Sequence, residues 1–132
     1  MEKYHLLKDL TLYGIEVKTF PNRVKDTFDL LYDALGEERL YYGVSWFDDD
    51  GKIKYYAAVA DLTTDEQKQF DCEVIVIKEG EYQTVTITNW MSRTDSIKDV
   101  FHELMKDRCP DKHNPCVEWY KSDNEMVCMV KS

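Results

Sequence analysis

Apolar positions recur along this chain in two rhythms. In VKDTFDLL from Val24 and in IKDVFHEL from Ile97 they fall at i, i+4 and i+7, the spacing that lays one stripe along a helix. The runs TLYGIEV from Thr11 and TVTITNW from Thr84 are instead rich in β-branched and aromatic residues. Each precedes a helix-start signal, Pro21–Asn22 in one case and Thr94–Asp95 in the other, while Gly36 and Pro110 mark the helix ends. After each helix comes a further run, YYGVSWFDDDGKI from Tyr41 and NPCVEWYKSDNEM from Asn114. Asp50–Gly51 and Asp123–Asn124 inside them suit tight hairpin turns, because Gly and Asn tolerate positive φ.

The two series align without gaps. The octapeptides share Lys25/Lys98, Asp26/Asp99, Phe28/Phe101 and Leu31/Leu104 at one offset, 97 − 24 = 73. Two amphipathic helices can share that much by convergence on a core-facing stripe. The same offset, however, sets Val44 on Val117, Trp46 on Trp119, Phe47 on Tyr120 and one turn on the other, and it sets Thr11 on Thr84. Each half therefore reads strand, helix, strand, tight turn, strand. DLTTDEQKQF between them reads as a polar linker, and CEVIVIKEGEYQTVTI as a strand, a turn at Glu79–Gly80 and the first strand of the second half. The expectation is a single α+β domain spanning 1–132, with a first half at about 9–60, a linker at about 61–71 and a second half at about 72–131. An antiparallel sheet would carry two main helices with pseudo-twofold symmetry, since either half alone would leave a sheet face and edges uncovered.

Composition narrows the function. The chain has 132 residues, 43% hydrophobic and 13% aromatic, enough for a core. A net charge of −9 disfavours binding to a phosphate backbone, which Lys and Arg must neutralise, and favours cationic small molecules. No apolar run approaches the ~20 residues of a membrane helix, and no signal-peptide pattern opens the chain, so the expected location is the cytoplasm and no membrane partner is expected. Cys72, Cys109, Cys116 and Cys128 are too sparse for a disulfide framework and form no Cys-x-x-Cys pair.

The two copies differ most usefully in their last strand pair. Alternation puts Cys116, Glu118 and Tyr120 on one face and Val117 and Trp119 on the other; the counterparts of the first set are Gly43, Ser45 and Phe47. A glutamate thus stands where the first copy has a serine. On an open face Glu118 would be an ordinary solvated carboxylate, or one paired to a nearby Lys or Arg. On a buried face it would cost several kcal/mol unless hydrogen-bonded or protonated, and could serve as the counter-charge of a pocket. Three Trp and nine Tyr favour the pocket, because aromatic faces attract cations by roughly 0.5–2 kcal/mol per contact. Tyr13, Trp46, Phe47, Tyr55, Trp90 and Tyr120 are the candidate walls, each of which could equally be core.

The duplicated pattern and the stretch NPCVEWYKSDNEMVCMV resemble the GyrI-like small-molecule-binding family, the bacterial transcription-activator effector-binding domain. Its Pro-x-x-Glu-x-Tyr element is here Pro115, Glu118 and Tyr120; YYGVSWFDDDGKIKYYAAV looks like its first hairpin and KEGEYQTVTITNW like its Gly-aromatic strand. The resemblance implies a cleft between the halves, lined by aromatics, in which Glu118 faces lipophilic, cationic ligands to sense or sequester them. It also implies two alternatives. In one, Glu118 and Tyr120 are catalytic groups of a hydrolase of strained, alkylating compounds; in the other, the chain binds and protects a topoisomerase. With about eight residues before the first strand, a DNA-binding domain is not expected here, nor is direct nucleic-acid binding.

Other signals are weaker. CPDKHNPC gathers Cys109, Asp111, His113 and Cys116, but the spacing matches no structural zinc site. FDDDG lacks the remaining ligands of a calcium loop, and no phosphate-binding glycine pattern occurs, so neither metal nor cofactor is expected.

Overall fold

The computed structural model describes residues 2–20, 22–36, 38–106, 110–111, 113–122 and 124–132, leaving aside the Thr94 side chain. Pro21, Cys109 and Asp123 lie outside the described residues, and with them parts of the helix-start, zinc and second-turn readings. The chain runs β1 (Glu2–Leu6), β2 (Leu10–Glu16), α1 (Val24–Leu35), β3 (Tyr41–Phe47), β4 (Ile53–Ala60), α2 (Thr64–Gln69), β5 (Glu73–Ile77), β6 (Gly80–Thr88), a 3-10 turn (Trp90–Ser92), α3 (Thr94–Leu104), β7 (Cys116–Tyr120) and β8 (Glu125–Lys131). Among the described residues the strands form one antiparallel sheet in the order β1-β6-β8-β7-β3-β4-β2-β5. The class is α+β, as the sequence indicates.

That order is symmetric about the β3–β7 pair. Outward from the centre it reads β3, β4, β2, β5 on one side and β7, β8, β6, β1 on the other. Val44 pairs with Val117, its own counterpart at offset 73, and both are fully buried. Phe28 and Leu31 of α1 and Phe101 and Leu104 of α3 are the buried pairs on the two helices, and each such side chain contributes roughly 1.5–3 kcal/mol. Offset 73 therefore holds in the helices and the hairpins that follow them.

It fails in the strand before each helix. Glu16 pairs with Tyr56, and Tyr56 + 73 is Met129, whose partner is Thr84, so β2 maps on β6 at 84 − 16 = 68. The second half carries five more residues between strand and helix, 73 − 68, and the 3-10 turn at Trp90 is built from this segment. Setting Thr11 on Thr84 thus misplaces the first strands.

Three further expectations are corrected. Residues 2–6 form β1, a strand absent from the sequence reading, because pairing with β6 gives this mostly polar segment its hydrogen bonds. The supposed linker contains α2, started by a capping box in which Thr63 Oγ1 accepts from the Glu66 N–H while the Glu66 carboxylate accepts from the Thr63 N–H. Arg39 then clamps Glu66 through two contacts of 3.0 and 2.6 Å. Finally, the strands on either side of Glu79–Gly80 are far apart: β5 is one edge of the sheet and β6 lies next to the other edge, so the link between them is a crossing rather than a tight turn.

These connections force the sheet to curl. Strands β1 and β2 hold the first and seventh places, six steps apart, which in a flat sheet would be about 29 Å. Residues 7–9 join them and span at most about 14 Å. Residues 78–79 make the same crossing from β5 to β6. The result is a half-barrel whose inner face packs Leu12, Tyr42, Val44, Trp46, Tyr56, Ile77, Val117 and Met129, with Tyr4 and Leu6 from one edge strand and Ile75 from the other. The outer face carries α1 over β3 and β4 and α3 over β6 and β8.

Candidate ligand-binding site

Strand β7 places its side chains as alternation predicts: Val117 and Trp119 join the inner cluster, whereas Cys116 and Tyr120 point to the helix side. Tyr120 belongs to both helix-side clusters, so the seam between the α1 and α3 packing units runs through it. Glu118 stands on this seam beside Tyr120 and directly across the sheet from Gly43.

Two phenols converge on one oxygen of this carboxylate. Tyr55, from β4, donates to Glu118 Oε1 at 2.5 Å, and Tyr120 donates to the same oxygen at 3.1 Å; the two hydroxyls lie 3.4 Å apart. Tyr55 is one strand further than β3 from Glu118, and it reaches over Gly43 to make its bond. A Cβ at position 43 would overlap both Glu118 Oε1 and Tyr55 Oη, so only glycine leaves room for this pair. The geometry is set in the middle of the sheet, where backbone hydrogen bonds hold every participating strand.

The electrostatics follow from the enclosure. Burial raises the pKa of Glu118 above the usual carboxylate range, while the bonds from Tyr55 and Tyr120 act in the opposite direction. By surface area the residue as a whole is half-buried, while its carboxyl group sits deep among protein atoms. Both tyrosines are pushed well above the usual phenol range, first by burial and then by the nearby carboxylate charge, and so keep their protons as donors. Cys116 and Cys128 lie beside this site; Cys128 pairs with Glu118 in the sheet. Burial and the Glu118 charge push both thiols to about 12, so at neutral pH they are small apolar filler rather than nucleophiles.

Aromatic rings flank the triad from both halves. Phe20 stacks on Tyr55 with centroids 4.8 Å apart and planes 10° from parallel. Phe28 of α1 meets Tyr120 edge-on at 5.1 Å, and Trp90 lies against the same ring at 5.0 Å. Trp90 is fixed by its indole N–H, which donates to the Ser122 carbonyl at 3.0 Å. Phe20 and Trp90 each stand four residues before the first residue of their helix, Val24 and Thr94. That shared spacing was the available sign of Phe20, which the sequence reading did not single out.

Of the seven candidate residues, the structure brings together Glu118, Tyr120, Tyr55 and Trp90. It places Trp46 on the other face, stacked on Tyr56 at 5.0 Å inside the half-barrel, because consecutive strand residues point to opposite sides. Phe47 shares the helix-side face but stands four residues along β3 from Gly43, about 13 Å at the strand rise. Tyr13 packs in the α1 cluster on β2, three strands from β7 and about 14 Å across the sheet.

A separate cavity of about 220 Å³ opens on the inner face, lined by Tyr4, Leu6, Leu40, Tyr42, Trp119 and Met129 among others. It offers no charged group, and the buried Trp119 indole N–H beside it has no partner among the described residues. The helix-side triad, with an acid, two donors and aromatic walls, has the greater chemical capacity. Among the described residues no cluster of His, Cys, Asp and Glu is arranged to hold a metal, and no helix is long and apolar enough to cross a membrane.

Several solved structures share this fold. An integron cassette protein from the mobile metagenome of Vibrio cholerae, VCH_CASS2, matches with a TM-score of 0.69 at 14% identity, over 98% of this chain and 94% of its own. SAV2435, solved bound to tetraphenylphosphonium, matches with a TM-score of 0.67 at 17% identity, over 98% and 93%. A conserved protein from Listeria innocua matches with a TM-score of 0.55 at 12% identity, over 98% and 90%. No family model and no curated protein matches the sequence.

Proposed function

We propose that this protein binds lipophilic, cationic small molecules at the seam between its halves, as a member of the GyrI-like group, with Glu118 as the counter-charge. The observation that carries this reading is a carboxylate deep in the fold that has no basic partner among the described residues: its bonds there come from two neutral phenols, and aromatic rings stand around them. An ionised acid so placed lacks compensation, which a bound monocation supplies, and the rings add attraction through their π faces. The acidic chain favours approach of such ligands. Capture of tetraphenylphosphonium by a protein of the same fold supports the ligand class.

The hydrolase reading would use the same groups, since a carboxyl of raised pKa suits general acid or base work. Two donors already held by Oε1 reduce the basicity of Glu118, so binding is the better use of this geometry. Calorimetric titration with tetraphenylphosphonium at pH 8 tests the proposal. Micromolar binding that Glu118→Gln weakens at least about tenfold is expected. Absence of binding below about millimolar, or an unchanged affinity in the variant, overturns it.

A further inference from the structure

The two oxygens of Glu118 are not equivalent, and the difference selects among cations. A carboxylate oxygen offers about two lone-pair positions, and a guanidinium or amidinium docks bidentately by taking one position on each oxygen. Here Oε1 receives both phenols, at 2.5 Å from Tyr55 and 3.1 Å from Tyr120. Among the described residues both donors to the carboxylate are directed at Oε1 and none at Oε2. The described donors thus occupy one half of the carboxylate, and the other half is the position a ligand would take.

Gly43 is the cause. Position 43 lies opposite Glu118 in the β3–β7 ladder, and any Cβ there would collide with both Glu118 Oε1 and Tyr55 Oη. With a side chain at 43, the phenol and the carboxylate could not meet at this place. Because Gly43 lies in mid-strand and is not among the glycines with positive φ, alanine can adopt its backbone conformation, and the clash is with side-chain atoms.

We propose that Gly43, by admitting the two-phenol cap on Oε1, makes this site selective for cations that need a single carboxylate oxygen, such as tertiary or quaternary ammonium groups, and selective against amidinium and guanidinium groups. This rests on the cation-binding reading above. Gly43 acts as a positioning residue, through Tyr55 and Glu118.

The test uses three monocations of similar size at pH 8: benzyltrimethylammonium, N,N-dimethylbenzylammonium with one N–H, and benzamidinium with two parallel N–H groups. Each is titrated against the full chain and against the Gly43→Ala and Tyr55→Phe variants. The wild type should bind dimethylbenzylammonium at least about tenfold tighter than benzamidinium, and that ratio should fall about tenfold or reverse in both variants. A purely structural role for Gly43 would weaken all three probes together and leave the ratio unchanged. If Gly43→Ala does not fold, Tyr55→Phe frees the same lone pair without adding an atom and decides the matter. Equal or tighter binding of benzamidinium by the wild type, or an unchanged ratio in Tyr55→Phe, overturns this inference while leaving cation binding intact. Failure of all three probes and of tetraphenylphosphonium instead overturns the cation-binding reading.

Discussion

Replacing Tyr55 by Phe removes one oxygen and keeps the ring, so the 4.8 Å stack on Phe20 survives and no large cavity opens. What disappears is the 2.5 Å bond to Glu118 Oε1. A hydrogen bond to an ionised acceptor is worth about 1.5–3 kcal/mol net, and one to a neutral acceptor about 0.5–1.5 kcal/mol. Glu118 changes from neutral to ionised as pH rises through its raised folded value, whereas Tyr55 keeps its proton throughout. The cost of the substitution should therefore depend on pH: about 1 kcal/mol greater at pH 8 than below pH 4, or roughly 3–5 °C in Tm for a domain of this size. Urea unfolding of wild type and variant at both pH values measures it, and other titrations common to the two proteins cancel in the difference. Equal penalties at both pH values would refute the argument, because they would mean that the phenol does not bond to a titrating carboxyl.

Glu118→Gln removes a group whose folded pKa lies above its unfolded value of about 4.5. The contribution of this group to stability is fully present below the unfolded pKa and is lost as pH rises through the folded one. The ligand-free variant should accordingly gain stability relative to wild type between pH 4 and pH 8, and a relative loss in denaturant melts would contradict the burial argument. Phe20→Ala and Trp90→Ala should each weaken tetraphenylphosphonium binding by about 0.5–2 kcal/mol, roughly two- to thirtyfold in Kd by calorimetry. Trp46→Ala should cost about 3–5 kcal/mol of stability and leave the affinity of the folded protein unchanged, because this ring is on the inner face. A weakened affinity would place the ligand on the other side of the sheet.

Much of the frame was legible because it depends on local periodicity. The stripes Val24/Phe28/Leu31 and Ile97/Phe101/Leu104 are short-range patterns, and alternation alone separates Glu118 and Tyr120 from Val117 and Trp119. The same rule shows that Trp46 and Phe47, as neighbours in one strand, could not both face the site. Strand β1 is not legible in the sequence because its polar residues carry no core stripe; its place comes from the unpaired edge of β6. The slip from offset 73 to 68 was hidden because β-rich runs match one another at several registers when nothing pins them.

The sequence by itself determined the class of fold, the two helices and the face on which Glu118 stands, since each rests on contacts between residues a few places apart. Only the tertiary structure decided what Glu118 meets. Tyr55 lies 63 residues away in sequence, and the bond exists because β4, β3 and β7 stand in one register with a glycine between the partners. The curl likewise follows from two short links crossing the sheet, a consequence of strand order and not of any local propensity. Pairing across the sheet turned an isolated carboxylate into one whose Oε1 is capped by two phenols.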